Sequence, residues 1–227
     1  MLDKTVSTLE QAVAGVPDGA ILLVGGFGVS GVPTELLCAL LDQGARELTI
    51  VNNNAGNGKL GLSQLIEAGR VRKMICSFGR STDRVNPNAA AFAEAYRSGK
   101  LELELVPQGT MAERMRAAGA GMGPFYTRTS YGTPLAEGKE TRIIDGVGYV
   151  LEQPLRGDFA FVRAQTADRW GNLMYRYAGR NFSPVMCMAA KTTVVQADQI
   201  VPLGDLVPAH VMTPGIFVQR VIEVRPQ

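Results

Sequence analysis

The residues best suited to chemistry lie in one short run, Gly25-Gly26-Phe27-Gly28-Val29-Ser30-Gly31, followed by Val32-Pro33. Glycines here permit positive φ and let a ligand reach the backbone with no Cβ in the way, and free amides at a helix start would favour an anion. Gly26, Gly28 and Gly31 also fit G-x-G-x-x-G, the dinucleotide fingerprint. That motif needs an acidic residue about 20 positions on, at the end of the second strand, to hold the ribose hydroxyls. The corresponding place reads Asn52-Asn53-Asn54, and Pro33 removes an amide from the helix start. A tight strand-to-helix turn that needs glycine only for its conformation is the other reading of the run.

Side-chain amides form the second set. Asn53 and Asn54 fall where a strand should end, and Gln108 follows Pro107 after a later one. The carboxyl ends of parallel strands are where open α/β sheets collect ligands. A neutral amide donates a hydrogen bond to a carboxylate without pairing it as tightly as an ammonium would. Against this, Asn53 could form an Asx turn and Gln108 could cap the following helix.

Few other groups offer chemistry. One histidine, His210, excludes His-rich zinc sites and disfavours a Ser-His-Asp arrangement. Cys38, Cys76 and Cys187 lie far apart with no metal-ligand spacing, and they read as reduced thiols of a cytosolic protein. No metal site is expected. Glu137-Gly138 lies in an irregular stretch and reads as a loop or an inter-subunit contact. Arg180 and Lys191 read first as salt-bridged surface groups and second as partners for phosphates. Trp170 reads as an aromatic plug in a turn, and the nine methionines as core filler, with Met174, Met186 and Met188 also candidates for a contact between chains.

The elements that must position these residues can be read from periodicity in the 227-residue chain. Val6, Leu9, Val13 and Val16 share a helical face over Asp3 to Val16. Ala20 to Val24 is a continuous apolar run suited to a strand covered on both faces. A helix from Pro33 to Gly44, bearing Leu36, Leu37, Leu40 and Leu41, follows the glycines. Alternation then continues: strands at 48–51, 71–77 and 101–106, helices at 62–68, 88–98 and 110–118. Strands separated by helices imply a mainly parallel sheet. Residues 119–138 read as irregular, and 139–144 and 149–152 as a hairpin turning at Asp145-Gly146. Further strands are expected at 159–164, 192–196 and 218–224, with a helix at 184–190 after cap candidates Asn181 to Ser183.

Composition sets the outer bounds. Lys and Arg number 23 and Asp and Glu 21, giving a formal charge of +2, so no basic excess exists to neutralise nucleic-acid phosphates. An apolar share of 46 % argues against disorder. No apolar run reaches the length of about 18 residues that a membrane span requires, and MLDKTVSTLEQ has no signal-peptide core. A cytoplasmic protein with no nucleic-acid or membrane partner is expected, folded as one domain over 4–224.

The glycine run with its flanks, Asp18-Gly19 through Val32-Pro33, resembles the signature of the A (alpha) subunit of family I coenzyme A transferases. Further stretches agree in the family's order: Asn53-Asn54-Ala55-Gly56; Val106-Pro107-Gln108-Gly109-Thr110; Ala136-Glu137-Gly138-Lys139-Glu140; Gly171-Asn172-Leu173; and Arg180-Asn181-Phe182 with Met188-Ala189-Ala190-Lys191. The resemblance implies an α/β fold, a mainly parallel sheet with flanking helices of the NagB/RpiA/CoA-transferase-like type. It implies coenzyme A and acyl-CoA as substrates with no permanently bound cofactor. It implies a B subunit carrying the glutamate that attacks the thioester in a ping-pong cycle. On this chain it implies a coenzyme-binding loop at Gly25, Gly26, Phe27, Gly28, Val29, Ser30 and Gly31, and acid-binding amides at Asn53, Asn54 and Gln108. Asn54 to Gly58, Ser130 to Thr133 and Thr213 to Arg220 are most similar to the branch using succinyl-CoA and 3-oxoadipate, with acetoacetate-specific relatives as the alternative. A distal carboxylate would then need a cation, with Arg80, Arg84 and Arg128 as candidates.

Overall fold

A computed structural model describes residues 2–56, 60–79 and 89–225. Arg80 and Arg84 therefore lie outside the described residues, as do Asn57, Gly58 and the first residue of the helix expected at 88–98.

Ile21–Val24 (β1), Leu48–Val51 (β2), Val71–Cys76 (β3) and Glu102–Leu105 (β4) run parallel, joined by helices Thr34–Gln43 (α2), Leu62–Glu67 (α3) and Ala89–Arg97 (α4). A preceding helix, Leu9–Val13 (α1), packs against α2. After β4 comes Gln108–Gly119 (α5), then a separate antiparallel sheet of Phe125–Thr127 (β5), Thr141–Ile144 (β6) and Val147–Glu152 (β7). The chain then returns to the main sheet through Gly157–Asp168 (β8), a short Leu173–Met174 strand (β9), helix Ser183–Ala189 (α6), Ala190–Val201 (β10) and Arg220–Glu223 (β11). The main sheet has the order β11-β10-β8-β1-β2-β3-β4, with β9 antiparallel to β8.

Two apolar cores result, one on each face of the sheet. Successive side chains on a strand point to opposite faces, so Leu22 and Val24 enter one core and Leu23 the other. The first core receives Leu36, Leu37 and Leu40 from α2; burying each stabilises the fold by roughly 1.5–3 kcal/mol. The second receives Met111 and Met115 from α5 and Val185 and Met186 from α6. Met186 is thus core filler as expected of the methionines, and is too deeply buried to be a contact between chains.

Several boundaries differ from the sequence reading for identifiable reasons. The first helix starts only at Leu9, because residues 4 to 6 are extended along the β11 edge, with Val6 N donating to Val221 O at 2.9 Å. Thr8 then caps the helix through its side chain. β8 and β10 are twelve residues long, beyond the apolar runs that announced them, because their extensions pair with one another. Arg163 and Asp198 interrupt the apolar pattern there and form a cross-strand ion pair at 2.9 Å. The stretch read as irregular contains β5, whose partner β7 lies over 20 residues on, so no local pattern marks it. The hairpin expected at Asp145-Gly146 is present; φ is +48° and +76° at those two residues, as a two-residue type I′ turn demands.

Candidate active site

The sheet order reverses direction at β1: β2, β3 and β4 are laid down on one side, β8, β10 and β11 on the other. In open parallel sheets the crevice at such a switch point, outside the carboxyl ends of the strands, is where ligands bind. The glycine run occupies that place, directly after β1.

Its conformation is fixed by hydrogen bonds on both flanks. Gly25 N donates to Phe161 O on β8 at 2.8 Å, and Phe27 and Ser30 exchange backbone bonds of 3.0 and 3.1 Å that close a tight turn. Gly28 N donates to Asn54 Oδ1 at 3.1 Å, and Gly26 N to Asn181 Oδ1 at 3.0 Å. Gly26, Gly28 and Gly31 all have positive φ. A Cβ on Gly26 would meet Val32 Cγ2 at 2.6 Å, so glycine is required there by space as well as by conformation.

The amides of Thr34, Glu35 and Leu36 at the start of α2 have no protein acceptor among the described residues, whereas the loop before them is largely self-satisfied. α2 begins at Thr34, after Pro33, and five of the seven loop amides are spent within the protein. Only those of Val29 and Gly31 lack a protein acceptor among the described residues. What the loop presents is a braced turn with an apolar tip: Val29 is 80 % exposed and Phe27 43 %. Such a surface suits an uncharged arm or an apolar partner face better than a naked anion.

The three asparagines divide the work. Asn52 Oδ1 accepts from Asn54 N at 2.9 Å, so the Asx turn belongs to Asn52 and not to Asn53. Asn54 braces the loop and also accepts from Asn53 Nδ2 at 3.0 Å. Where a dinucleotide fold would keep a carboxylate for ribose, this chain spends an amide on its own glycine loop. Asn53 is fully buried, and its Oδ1 has no hydrogen-bond partner among the described residues. Ser77 Oγ after β3, Thr110 Oγ1 on α5 and Ser183 Oγ on α6 are likewise buried and unpartnered. Leaving a buried polar atom unpaired costs about 1–3 kcal/mol, and such costs concentrate at functional sites.

Gln108 is the first residue of α5, with Pro107 as N-cap, so it does not cap that helix; its exposed side chain lines a cavity. This cavity, about 500 Å³, is bounded by Phe27, Gln108, Arg116, Arg180, Asn181 and Met188 among others, and among the described residues no carboxylate lines it. The sequence marks Asn181 only as a cap candidate. In the structure its oxygen accepts from the Gly26 and Phe182 amides while its nitrogen donates to Gly179 O at 2.8 Å, which ties the α6 entrance to the glycine loop. Its place in the Arg-Asn-Phe stretch is the one signal the sequence offers for this.

The remaining candidates sort clearly. Lys191 is salt-bridged to Asp158 at 2.8 Å, as expected, whereas Arg180 has no ion pair among the described residues. Trp170 is 46 % exposed and is no plug; Asp168, accepting from the Trp170 and Asn172 amides, holds that turn. Glu137, His210 and Arg128 are exposed, and none of them lines the cavity. Burial pushes the Cys76 and Cys187 thiols up to about 12, so neither serves as a nucleophile near neutral pH.

The family model described as coenzyme A transferase matches residues 6–224. The chain belongs to the coenzyme A transferase family. It is 57 % identical over 99 % of its length, and 95 % of the relative's, to a Pseudomonas putida protein named as the A subunit of 3-oxoadipate CoA-transferase. It is 45 % identical to a Bacillus subtilis protein named as the A subunit of a probable succinyl-CoA:3-ketoacid coenzyme A transferase, over 97 % of this chain and 90 % of that one. Among solved structures, glutaconate coenzyme A-transferase from Acidaminococcus fermentans shares its fold, with a TM-score of 0.86 at 21 % identity, over 98 % of this chain and 76 % of that one. The transferase's α/β fold with its parallel sheet is therefore as the sequence predicted. No helix among the described residues is long and apolar enough to cross a membrane.

Proposed function

We propose that this chain is the A subunit of a two-chain enzyme that moves coenzyme A from succinyl-CoA to 3-oxoadipate. The observation that carries the reading is the composition of the switch-point cavity: amides, arginines and apolar surface beside a braced glycine turn, with no carboxylate among the described residues that line it. Transfer of coenzyme A between acids proceeds through an acyl-enzyme anhydride and an enzyme thioester, so it needs a carboxylate nucleophile. A cavity without one is half of such a site, and the relatives, both named as A subunits, point to a companion that supplies the glutamate.

The residues of this chain then have defined tasks. Gln108 donates to the acid's carboxylate and holds it without the tight pairing of a salt bridge, so the acid stays able to react. Asn54 and Asn181 hold the Phe27–Ser30 turn rigid, so its apolar tip meets the thioester's uncharged arm at a fixed place. Rigid positioning of this sort is how a binding surface lowers an activation barrier without chemistry of its own. The greater identity to the 3-oxoadipate relative than to the 3-ketoacid one favours the dicarboxylic acceptor.

The test is co-expression with a B subunit of the family, followed by assay of succinyl-CoA with 3-oxoadipate or acetoacetate. Transfer to 3-oxoadipate at the higher kcat/KM is the expected result. Preference for acetoacetate would move the assignment to the 3-ketoacid branch, and binding of coenzyme A without transfer by any complex would make the chain a ligand-binding module.

A further inference from the structure

Two arginines, Arg116 and Arg180, line the cavity beside the glycine turn, and acid binding at Gln108 and loop bracing have no use for either. Arg116 is drawn toward the outer side of α5 by Glu113, whose Oε2 lies 3.2 Å from its Nε. Arg180 is exposed at the cavity rim and has no carboxylate partner among the described residues, so its guanidinium is not committed within the chain. Its backbone is set by unusual conformations on both sides of it: Tyr177 has φ of +48° and Asn181 of +30°, bracketing the 3₁₀ turn Tyr177–Arg180. Positive φ at residues other than glycine costs of order 1–3 kcal/mol and persists only where the surroundings enforce it. Here the Asn181 bonds to Gly26 and Gly179 enforce it, and they carry Arg180 to the same cavity wall as Phe27.

We infer that Arg180 is a specificity-determining residue, which takes the far carboxylate of a dicarboxylic acid whose reacting carboxyl lies at Gln108. A planar guanidinium grips a carboxylate with two parallel hydrogen bonds, a geometry no lysine offers. Phe27, Val185 and Met188 line the same cavity and offer apolar surface suited to the methylene chain of such an acid. Arg128, the described candidate from the sequence, does not line this cavity. The inference rests on the transferase reading and refines its substrate class.

The experiment uses the two-chain complex with one donor, succinyl-CoA, throughout. kcat/KM is measured for 3-oxoadipate and for 3-oxohexanoate, which has the same chain length and no far carboxylate. In Arg180→Met the ratio of the two should fall roughly 10- to 100-fold, the loss of a charged hydrogen-bonded contact, mostly through KM for 3-oxoadipate. Arg180→Lys should recover part of that ratio, and thermal unfolding of both variants identifies any that fails to fold. An unchanged ratio overturns the inference. So does an equal fall for both acids, which would place the arginine on something the two reactions share and not on the far carboxylate. A wild-type complex that transfers to neither acid overturns the transferase reading itself, an outcome distinct from these.

Discussion

Asn54 Oδ1 accepts a hydrogen bond from Gly28 N at 3.1 Å, linking the end of β2 to the tip of the glycine turn that follows β1. The same oxygen accepts from Asn53 Nδ2, so one side chain holds two donors at the switch point of the sheet. Asn54→Ala leaves both donors without their acceptor. The expected loss is about 1–3 kcal/mol in a urea titration, with a larger loss in transfer by the complex than stability alone explains. A variant with normal kcat/KM would show that the turn does not need bracing.

Gly31 tests the other flank. Its φ is +72°, and an added Cβ would collide with Gly179 O and lie 2.8 Å from Asn181 Nδ2. Gly31→Ala should therefore displace the Asn181 contact and reduce kcat as well as stability, the latter by at least ~1 kcal/mol. Gly44→Ala is the control: φ is +100° at the end of α2, with nothing within 4 Å of a Cβ. It should lower Tm and leave transfer rates alone, as measured by calorimetry and steady-state kinetics side by side.

Asp158 predicts a pH dependence. Its carboxylate accepts from Ile21 N at 3.0 Å and from Lys191 Nζ at 2.8 Å, and these bonds, that of Ile21 foremost, hold its pKa below the ordinary 3.8. A carboxyl depressed by folding stabilises the fold above its unfolded value and loses that contribution as pH falls through its folded one. Asp158→Asn should lower Tm by roughly 2–4 °C at neutral pH, the shift that ~1 kcal/mol produces in a domain this size. The gap should hold down to about pH 5 and close below 3.8. Thermal melts of both proteins across that range measure it.

Alkylation distinguishes the three thiols. Cys76 and Cys187 are buried with pKa values pushed up to about 12, while Cys38 is half-buried on α2. Iodoacetamide at mild alkaline pH should modify the folded protein at Cys38 first, with Cys76 and Cys187 labelled only after denaturation. Peptide mapping reads the order directly.

The sequence is most legible where one element suffices to explain itself. The AILLV run, the leucine stripe of α2 and the Asp-Gly turn each declare their structure through period or turn chemistry, and each is present. What it conceals depends on distant pairing. β5 is a strand because β7 offers it an edge, and the long reach of β8 and β10 exists because each supplies the other's partners. At the site, spacing puts Asn53, Asn54 and Gln108 at strand ends, where the structure places them. It does not show that Asn54 is spent on Gly28, that Asn53 is sealed in, or that Asn181 crosses 155 residues to hold Gly26. The Asn54 bond arises from the pairing of β2 with β1, and the Asn181 bond from the return of β8 alongside β1; no local signal encodes either.

The division of labour between two chains is tested most directly by incubating succinyl-CoA and 3-oxoadipate with this chain purified alone, then with its B companion present. This chain alone should give no transfer and no thioester adduct, with transfer appearing once the companion joins it and a coenzyme A adduct trapped on a glutamate of that companion. Transfer by the isolated chain, or an adduct mapped to one of its own glutamates, would contradict it.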